Sequence, residues 1–163
     1  MEGPKILRGT VSVLRILVGA AFAALGVMKF LNPEFLYGGV FRALEEAGQP
    51  YSFYRPLLNR FAFREELLAH MVAAGEVMLG LSYLSGALVS LSSCAGAFLM
   101  VNIALATSAG NIGNLALHLG FAVILLGMGR AGAGLQWGVD GWLTERVHEG
   151  FILFPLRWRL PNW

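Results

Sequence analysis

The most constraining feature of this chain is a run of 53 consecutive residues, 77–129, that contains no Asp, Glu, Lys or Arg. One bilayer crossing needs about 20 predominantly apolar residues. A single helix of that length would extend about 80 Å, far more than the thickness of a bilayer. The run must therefore fold back on itself inside a membrane. The sequence predicts an all-α integral membrane protein.

The sequence contains four hydrophobic spans: one lies before the polar segment 31–66, and two turns divide the hydrophobic sequence after that segment into three more. Ser85 and Gly86 interrupt the uncharged run once, and residues 108–111 (Ser-Ala-Gly-Asn) interrupt it again. Because both turns are short, the spans on either side of them are antiparallel neighbours. The sequence predicts a single-domain four-helix bundle over 1–163, with spans at 8–30, 67–84, 87–107 and 112–129 and a tail at 130–163.

The segments outside the spans are expected to lie at the membrane surface. Residues 31–66 hold nine charges together with Pro50 and Pro56, and their many aromatic side chains suit the headgroup region. Short amphipathic helices are predicted at 35–46 and 56–66, and another at 137–148. Neither the loop nor the tail can satisfy its backbone in lipid as one continuous helix, so neither is expected to cross.

The distribution of basic residues predicts the orientation. An even number of spans puts both termini on one side, and the basic residues there outnumber those on the loop side. Positive charge is retained in the cytoplasm, so we expect a multi-pass protein of the cell (inner, cytoplasmic) membrane with both termini cytoplasmic. The net charge of +2 is too small to indicate nucleic acid. The expected partners are lipid and other membrane protein subunits, because a tail rich in aromatic residues and arginine is typical of a protein interface. The basic residues on the terminal side are Lys5, Arg8, Arg15, Arg130, Arg146, Arg157 and Arg159.

Two charged residues are predicted to lie deep in the membrane. Glu76 is ten residues into the second span, and Arg15 enters from the opposite side to a similar depth. An isolated charge in hydrocarbon is costly, so the sequence predicts that the two form an ion pair inside the bundle. The pair could serve only helix packing, or it could bind a ligand or a proton. Gly19 and Gly26 share a helical stripe with Arg15 and should permit close helix contact.

Further polar residues complete a candidate pocket. They could simply hydrogen-bond the spans together, or they could bind a quinone head group or a similar molecule. His70 and His118, on different spans, are a third alternative as ligands of a b-type haem, although two histidines are weak support for it. The single cysteine, Cys94, is expected to be a packing residue, and no metal-ligand spacing is present. The candidate pocket residues are Arg15, Lys29, Glu76, Asn102, Asn114 and His118.

The chain resembles the DoxX family of membrane proteins. Gly129 and Arg130, followed by Gly138-Val-Asp140, are similar to the family's closing signature. The segment 50–56 (Pro-Tyr-Ser-Phe-Tyr-Arg-Pro) further resembles the DoxD-like branch. The first two spans carry the other motifs: Arg15-Ile-Leu-Val-Gly19, Gly26-Val-Met-Lys29-Phe30, Asn32-Pro33-Glu34-Phe35 and Gly75-Glu76-Val-Met-Leu-Gly80-Leu81.

The resemblance implies a four-helix membrane bundle and membrane redox chemistry linked to quinone and sulfur compounds. Its implied function is a small membrane subunit of a quinone-linked oxidoreductase, as in a DoxD-like thiosulfate:quinone oxidoreductase. The alternative is a non-catalytic accessory subunit of a larger membrane complex. No residue is assigned a catalytic role by the sequence, and whether the chain is itself an enzyme stays open.

Overall fold

A computed structural model describes residues 3–156 of the chain. This part is helical and contains no strand, so the predicted all-α membrane fold is confirmed. Four helical stretches are long and apolar enough to cross a membrane. In chain order the helices are α1 (Gly3–Phe30), α2 (Val40–Ala47), α3 (Arg55–Phe61), α4 (Glu65–Ser85), α5 (Val89–Thr107), α6 (Ile112–Arg130), α7 (Val139–Leu143) and α8 (Glu149–Leu153).

The most extensive helix contact joins α1 to α4, and glycines make it close. A methyl group on Gly19 would lie 2.7 Å from the backbone nitrogen of Leu84, and one on Gly26 would lie 2.7 Å from that of Val77. No side chain fits at such distances, so glycine alone lets the two backbones approach this closely. The close contact predicted for Gly19 and Gly26 is confirmed, and it fixes the antiparallel register of α1 against α4.

The second helix pair is α5 with α6, and the contact between α4 and α5 is much smaller. One apolar core joins the two pairs, and it is centred on side chains such as Tyr83 and Leu125, which are 0% exposed. The hydroxyl groups of Tyr83 and Ser93 share a hydrogen bond of 2.6 Å between α4 and α5. We call the end of the bundle with the α4–α5 turn the terminal end, and the opposite end the loop end.

The connection from α1 to α4 covers the loop end. It makes an irregular turn at Phe35–Gly39 before α2, and a 3-10 turn at Ala62–Arg64 joins α3 to α4. Between α2 and α3 the chain caps α5: the backbone N–H of Tyr51 donates to the carbonyl of Leu105 at 3.0 Å. The non-helical backbone of Arg64 (φ −129, ψ 35) bends the stretch between α3 and α4.

The tail differs from the predicted helix at 137–148. Helix α7 ends at Leu143, because the chain then turns back and α8 packs against α5. The hydroxyl of Ser90 on α5 donates to the carbonyl of Leu153 at 2.6 Å, and Leu153 is 2% exposed. Residues 157–163, with Arg157, Arg159 and two of the tryptophans, lie outside the described part of the chain.

Candidate functional site

Lys29 and Glu76 form an ion pair between α1 and α4. Lys29 lies one residue before the end of α1. The contacts at Gly19 and Gly26 fix how α1 lies along α4, and this places Lys29 beside Glu76. The Glu76 side chain is 4% exposed and that of Lys29 is 28% exposed. Among the described residues, no hydrogen-bond partner reaches the buried Oε2 oxygen of Glu76. A buried carboxylate with an unused oxygen can accept a ligand's hydrogen bond or a proton.

The Phe35 ring lies beside Lys29, and a second group of rings surrounds His70 on α4. The Nζ atom of Lys29 lies 5.5 Å from the centre of the Phe35 ring. The His70 ring meets Phe30 edge to face at 6.4 Å between centroids, and Tyr37 in the same way at 6.2 Å. Phe30 and Tyr37 are 40% and 68% exposed. A flat ligand that reaches Lys29 would therefore meet the Phe35 ring.

Arg15 does not contact Glu76, so the predicted ion pair between them is wrong. Its Nη1 atom donates to the carbonyl of Tyr83 at 2.7 Å, and its Nη2 atom donates to that of Trp137 at 2.9 Å. Tyr83 follows Glu76 by two helical turns, about 10 Å along α4. The error arose because depth was counted from the span ends, whereas the α1–α4 register places Lys29 and not Arg15 beside Glu76.

Asp140 lies at the terminal end of the bundle, as Arg15 does, and it hydrogen-bonds the first residues of α5. Its two carboxylate oxygens accept the backbone N–H groups of Leu88 at 2.6 Å and Val89 at 3.0 Å, and its own N–H donates to Gly86 at 2.8 Å. A carboxylate at a helix N-terminus is favourable, as is a guanidinium at a C-terminus. Arg15 and Asp140 therefore fasten opposite sides of the α4–α5 turn, and we call them the Arg15–Asp140 cluster.

Burial raises the pKa of Asp140, while its hydrogen bonds to the N–H groups of Val89 and Leu88 and the charge of Arg15 lower it; the net shift is upward. Leu88 is held in the left-handed backbone region at φ 54, which is uncommon for a non-glycine residue. This conformation aims its N–H at Asp140, so the turn is shaped by the carboxylate that binds it. The cluster is thus built for holding helices together.

The remaining candidate pocket residues have local partners. Asn102 accepts the Tyr54 hydroxyl at 2.5 Å and so ties the loop to α5. The side-chain amide of Asn114 donates to the carbonyl of Thr107 at 3.2 Å, across the α5–α6 turn. The Nδ1 atom of His118 donates to the carbonyl of Asn114, one turn earlier on α6, at 2.8 Å. The contact of Asn114 agrees with the alternative in which these residues hydrogen-bond the spans together, whereas Asn102 joins a span to the loop.

The closing signature residues position the tail. Gly129 is buried, and a methyl group there would lie 2.6 Å from the hydroxyl oxygen of Ser93. Arg130 donates from Nη1 to the carbonyl of Leu156 at 3.3 Å. Sequence reasoning placed Asp140 only in this signature and missed its contact with α5. It also missed the contact of the Phe35 ring with Lys29, for which the aromatic residues that follow α1 were a signal.

Comparison with known proteins agrees with the bundle. No curated protein and no solved structure matches this chain significantly. The family match begins in α1 and ends in the α5–α6 turn, so it includes Arg15, Lys29 and Glu76 but not Arg130 or Asp140. It spans well over half of the chain, residues 10–109. The chain therefore belongs to the DoxX family, a membrane-associated family often linked to oxidoreductase-related functions.

Proposed function

We propose that this protein is a small integral membrane subunit of a quinone-linked oxidoreductase, and that the Lys29–Glu76 pair binds the quinone head group. The observation that carries the proposal is the unpartnered Oε2 of Glu76, buried beside a lysine that reaches the protein surface. Ionisable groups inside a membrane are costly, and they commonly mark ligand or proton pathways.

The chemistry of quinone reduction suits these two groups. Reduction of a quinone to a quinol adds two electrons and two protons, and the protons end on the two carbonyl oxygens. Lys29 would donate a hydrogen bond to one carbonyl, and Glu76 would exchange a proton with the head group. The Phe35 ring, whose centre lies 5.5 Å from the Nζ atom of Lys29, would contact a flat face of the head group. A partner subunit would supply the electrons by oxidising thiosulfate or another sulfur compound.

Quinone binding by the purified chain tests this proposal. The full chain is purified in mild detergent, loaded with ubiquinone or menaquinone, and the quinone retained per chain is measured in an extract. We expect Glu76→Gln and Lys29→Gln each to lower retention about tenfold, as for the loss of one strong hydrogen bond. Glu66→Gln is the matched control, because Glu66 lies on the same helix but is exposed. Unchanged retention in both test variants would contradict the proposal.

A second candidate function is that of a non-catalytic accessory subunit of a larger membrane complex. The C-terminal segment favours it, because Trp137, Trp142 and Phe151 are 65%, 54% and 76% exposed. Aromatic residues are enriched at protein interfaces, and Arg146 stacks on the Trp142 ring at 3.9 Å. In this case Lys29 and Glu76 would only join α1 to α4.

Co-purification from native membranes separates the two functions. Deleting the tail is unsuitable, because Ile152 and Leu153 are buried against the bundle. Trp142→Ala and Phe151→Ala instead change exposed side chains. The accessory function predicts that these variants lose the partner proteins while Glu76→Gln retains them with full complex activity. The quinone function predicts that Glu76→Gln retains the partners but abolishes quinone-dependent turnover.

A further inference from the structure

A cleft of about 440 Å³ lies at the loop end, between α2 and α3 and beside the last turn of α5. Its size falls in the range of small-molecule sites. None of its lining residues belongs to the Lys29–Glu76 pair or to the Arg15–Asp140 cluster. The lining residues are Phe41, Leu44, Glu45, Gly48, Gln49, Pro50, Arg55, Leu58, Asn59 and Ala106.

The cleft has one apolar wall and one polar rim. Phe41, Leu44 and Leu58 are half-buried and form the wall, whereas Glu45 and Arg55 are exposed on the rim. Glu45 lies on α2 and Arg55 begins α3, so opposite charges stand on the two helices that border the cleft. Within residues 3–156, neither side chain forms an ion pair or a hydrogen bond. Both charges are therefore available to a ligand.

The cleft lies where a membrane surface is expected. Ala106 is one residue before the end of α5, which is one of the four stretches able to span a bilayer. Next to the cleft, α3 and the following turn expose Leu57, Phe61 and Phe63, with Phe63 76% exposed. Aromatic and apolar side chains with neighbouring arginines are typical of the headgroup region. A lipid head group at this surface would therefore lie next to the cleft.

The floor of the cleft is held in place by backbone contacts. The N–H of Ala109 donates to the carbonyl of Gln49 at 2.9 Å. Gly48 has φ +152 and lies so close to the Thr107 carbonyl that a side chain would clash there. This segment is therefore fixed to the end of α5, and the cleft is formed before any ligand binds. A preformed site saves the ordering cost of binding.

We propose that this cleft binds the head group of a phospholipid that carries a phosphate and a primary ammonium group, as in phosphatidylethanolamine. Arg55 binds the phosphate through its guanidinium, which forms strong hydrogen bonds to phosphate oxygens. Glu45 accepts hydrogen bonds from the ammonium group, and the apolar wall contacts the start of the acyl chains. Opposite charges on opposite sides of the cleft match a zwitterion better than an anionic lipid.

The test is lipid binding by the full chain in detergent, measured by native mass spectrometry. The probes are phosphatidylethanolamine, phosphatidylcholine, phosphatidylglycerol and soluble phosphoethanolamine. We expect phosphatidylethanolamine to bind most tightly, because the choline group has no N–H to donate and the glycerol group carries no positive charge. Soluble phosphoethanolamine should bind weakly, because it lacks acyl chains to contact the wall.

Four variants identify the binding residues. Arg55→Gln should weaken binding of both phosphatidylethanolamine and phosphatidylglycerol about tenfold, as for the loss of a charge-assisted hydrogen bond. Glu45→Gln should weaken binding of phosphatidylethanolamine but not of phosphatidylglycerol, so the preference for phosphatidylethanolamine should disappear. Glu46→Gln and Arg60→Gln are matched controls, because both residues are exposed and neither lines the cleft.

Three results would overturn the proposal. Equal binding of phosphatidylglycerol and phosphatidylethanolamine would indicate a general basic surface. Tight binding of soluble phosphoethanolamine would indicate a water-soluble ligand. If Glu45→Gln and Arg55→Gln lower the melting temperature as strongly without lipid as with it, the two residues brace the helices and do not bind a head group.

Discussion

The Arg15–Asp140 cluster and the Lys29–Glu76 pair both place charge inside the helix bundle, yet their partners differ. Arg15 is 0% exposed, and its Nη atoms donate to backbone carbonyls from α4 and from the segment before α7. Asp140 accepts two N–H groups of α5. Glu76 contacts Lys29 through one oxygen only, and Lys29 reaches the surface.

The difference separates structural charge from charge that is available for function. In the cluster, both Nη atoms of Arg15 and both carboxylate oxygens of Asp140 are hydrogen-bonded to backbone groups, and the Nε of Arg15 is the one atom of these two charged groups left without a partner among the described residues. In the pair, one buried oxygen is left without compensation among the described residues. Such an oxygen costs free energy unless a ligand, a water molecule or a proton satisfies it. The cluster should therefore control stability, and the pair should control binding.

The largest expected effect comes from Arg15→Met. This change removes the bonds to Tyr83 and Trp137 and leaves the buried Asp140 without its positive neighbour. We expect the free energy of unfolding to fall by about 3 kcal/mol, as for other broken buried charge contacts. Reversible unfolding in mixed micelles measures it. Arg64→Met is the control, because Arg64 is exposed and, within residues 3–156, its guanidinium contacts the Phe63 ring without an ion pair. A loss below about 1 kcal/mol would remove the cluster's proposed structural role.

Asp140→Ala should have the next largest effect. It leaves the N–H groups of Leu88 and Val89 without an acceptor, and Leu88 keeps an unfavourable backbone conformation. We expect a loss of about 2 kcal/mol in the free energy of unfolding. Asp140→Asn retains one acceptor oxygen and should lose about half as much. Amide hydrogen exchange at the start of α5 should be faster in Asp140→Asn than in the wild type, and fastest in Asp140→Ala. An increase spread evenly over the chain would contradict the role of Asp140 in holding the start of α5.

Glu76→Leu should change stability less than either cluster variant. Lys29 is partly exposed, so its amine can turn to the surface when the carboxylate is gone. We expect a loss of about 1 kcal/mol or less, because the removal of an unpartnered buried oxygen offsets part of the lost ion pair. The same unfolding assay measures it, with Glu66→Leu as control. A loss as large as that of Arg15→Met would erase the contrast between the two regions.

The pH dependence of Asp140 should be a smaller effect. Because burial raises its pKa, the folded state binds a proton more readily than the unfolded state does. The stability of the wild type relative to Asp140→Asn should therefore increase as the pH falls through the raised pKa, and level off below the ordinary value of 3.8. Unfolding curves of both proteins across this range measure it. A difference that shrinks as the pH falls would contradict this sign.

The smallest expected effect is that of Tyr54→Phe, which removes only the bond from the Tyr54 hydroxyl to Asn102. We expect a loss of about 0.5–1 kcal/mol in the free energy of unfolding. Proteolysis within residues 48–54 should become faster, because this bond ties the loop to α5. Tyr51→Phe is the control, since the backbone N–H of Tyr51 makes its contact with α5. Equal proteolysis of both variants would contradict an anchoring role for the Tyr54 hydroxyl.

Much of the bundle could be predicted because hydrophobic length is a local property. The uncharged run and its two turns gave helices that agree with α4, α5 and α6 to within a few residues. The depth of Arg15 relative to Glu76 could not be predicted in the same way. It depends on how far α1 slides along α4, and contacts between distant residues decide that. The helix predicted at 137–148 was wrong for a similar reason, since α8 turns back to pack on α5.

The glycines of α1 and α6 show what the sequence alone does not predict. Gly19 and Gly26 on α1 are seven residues apart, and so are Gly113, Gly120 and Gly127 on α6. On α1 the neighbouring backbone fills the space at both glycines, whereas the nearest contact at Gly113 is 3.5 Å away and the space at Gly120 and Gly127 is open. The sequence determined which stretches are helices and which residues are small, because these depend on each segment alone. The tertiary structure decided which small face is occupied and which charges meet, because both depend on the position of another helix.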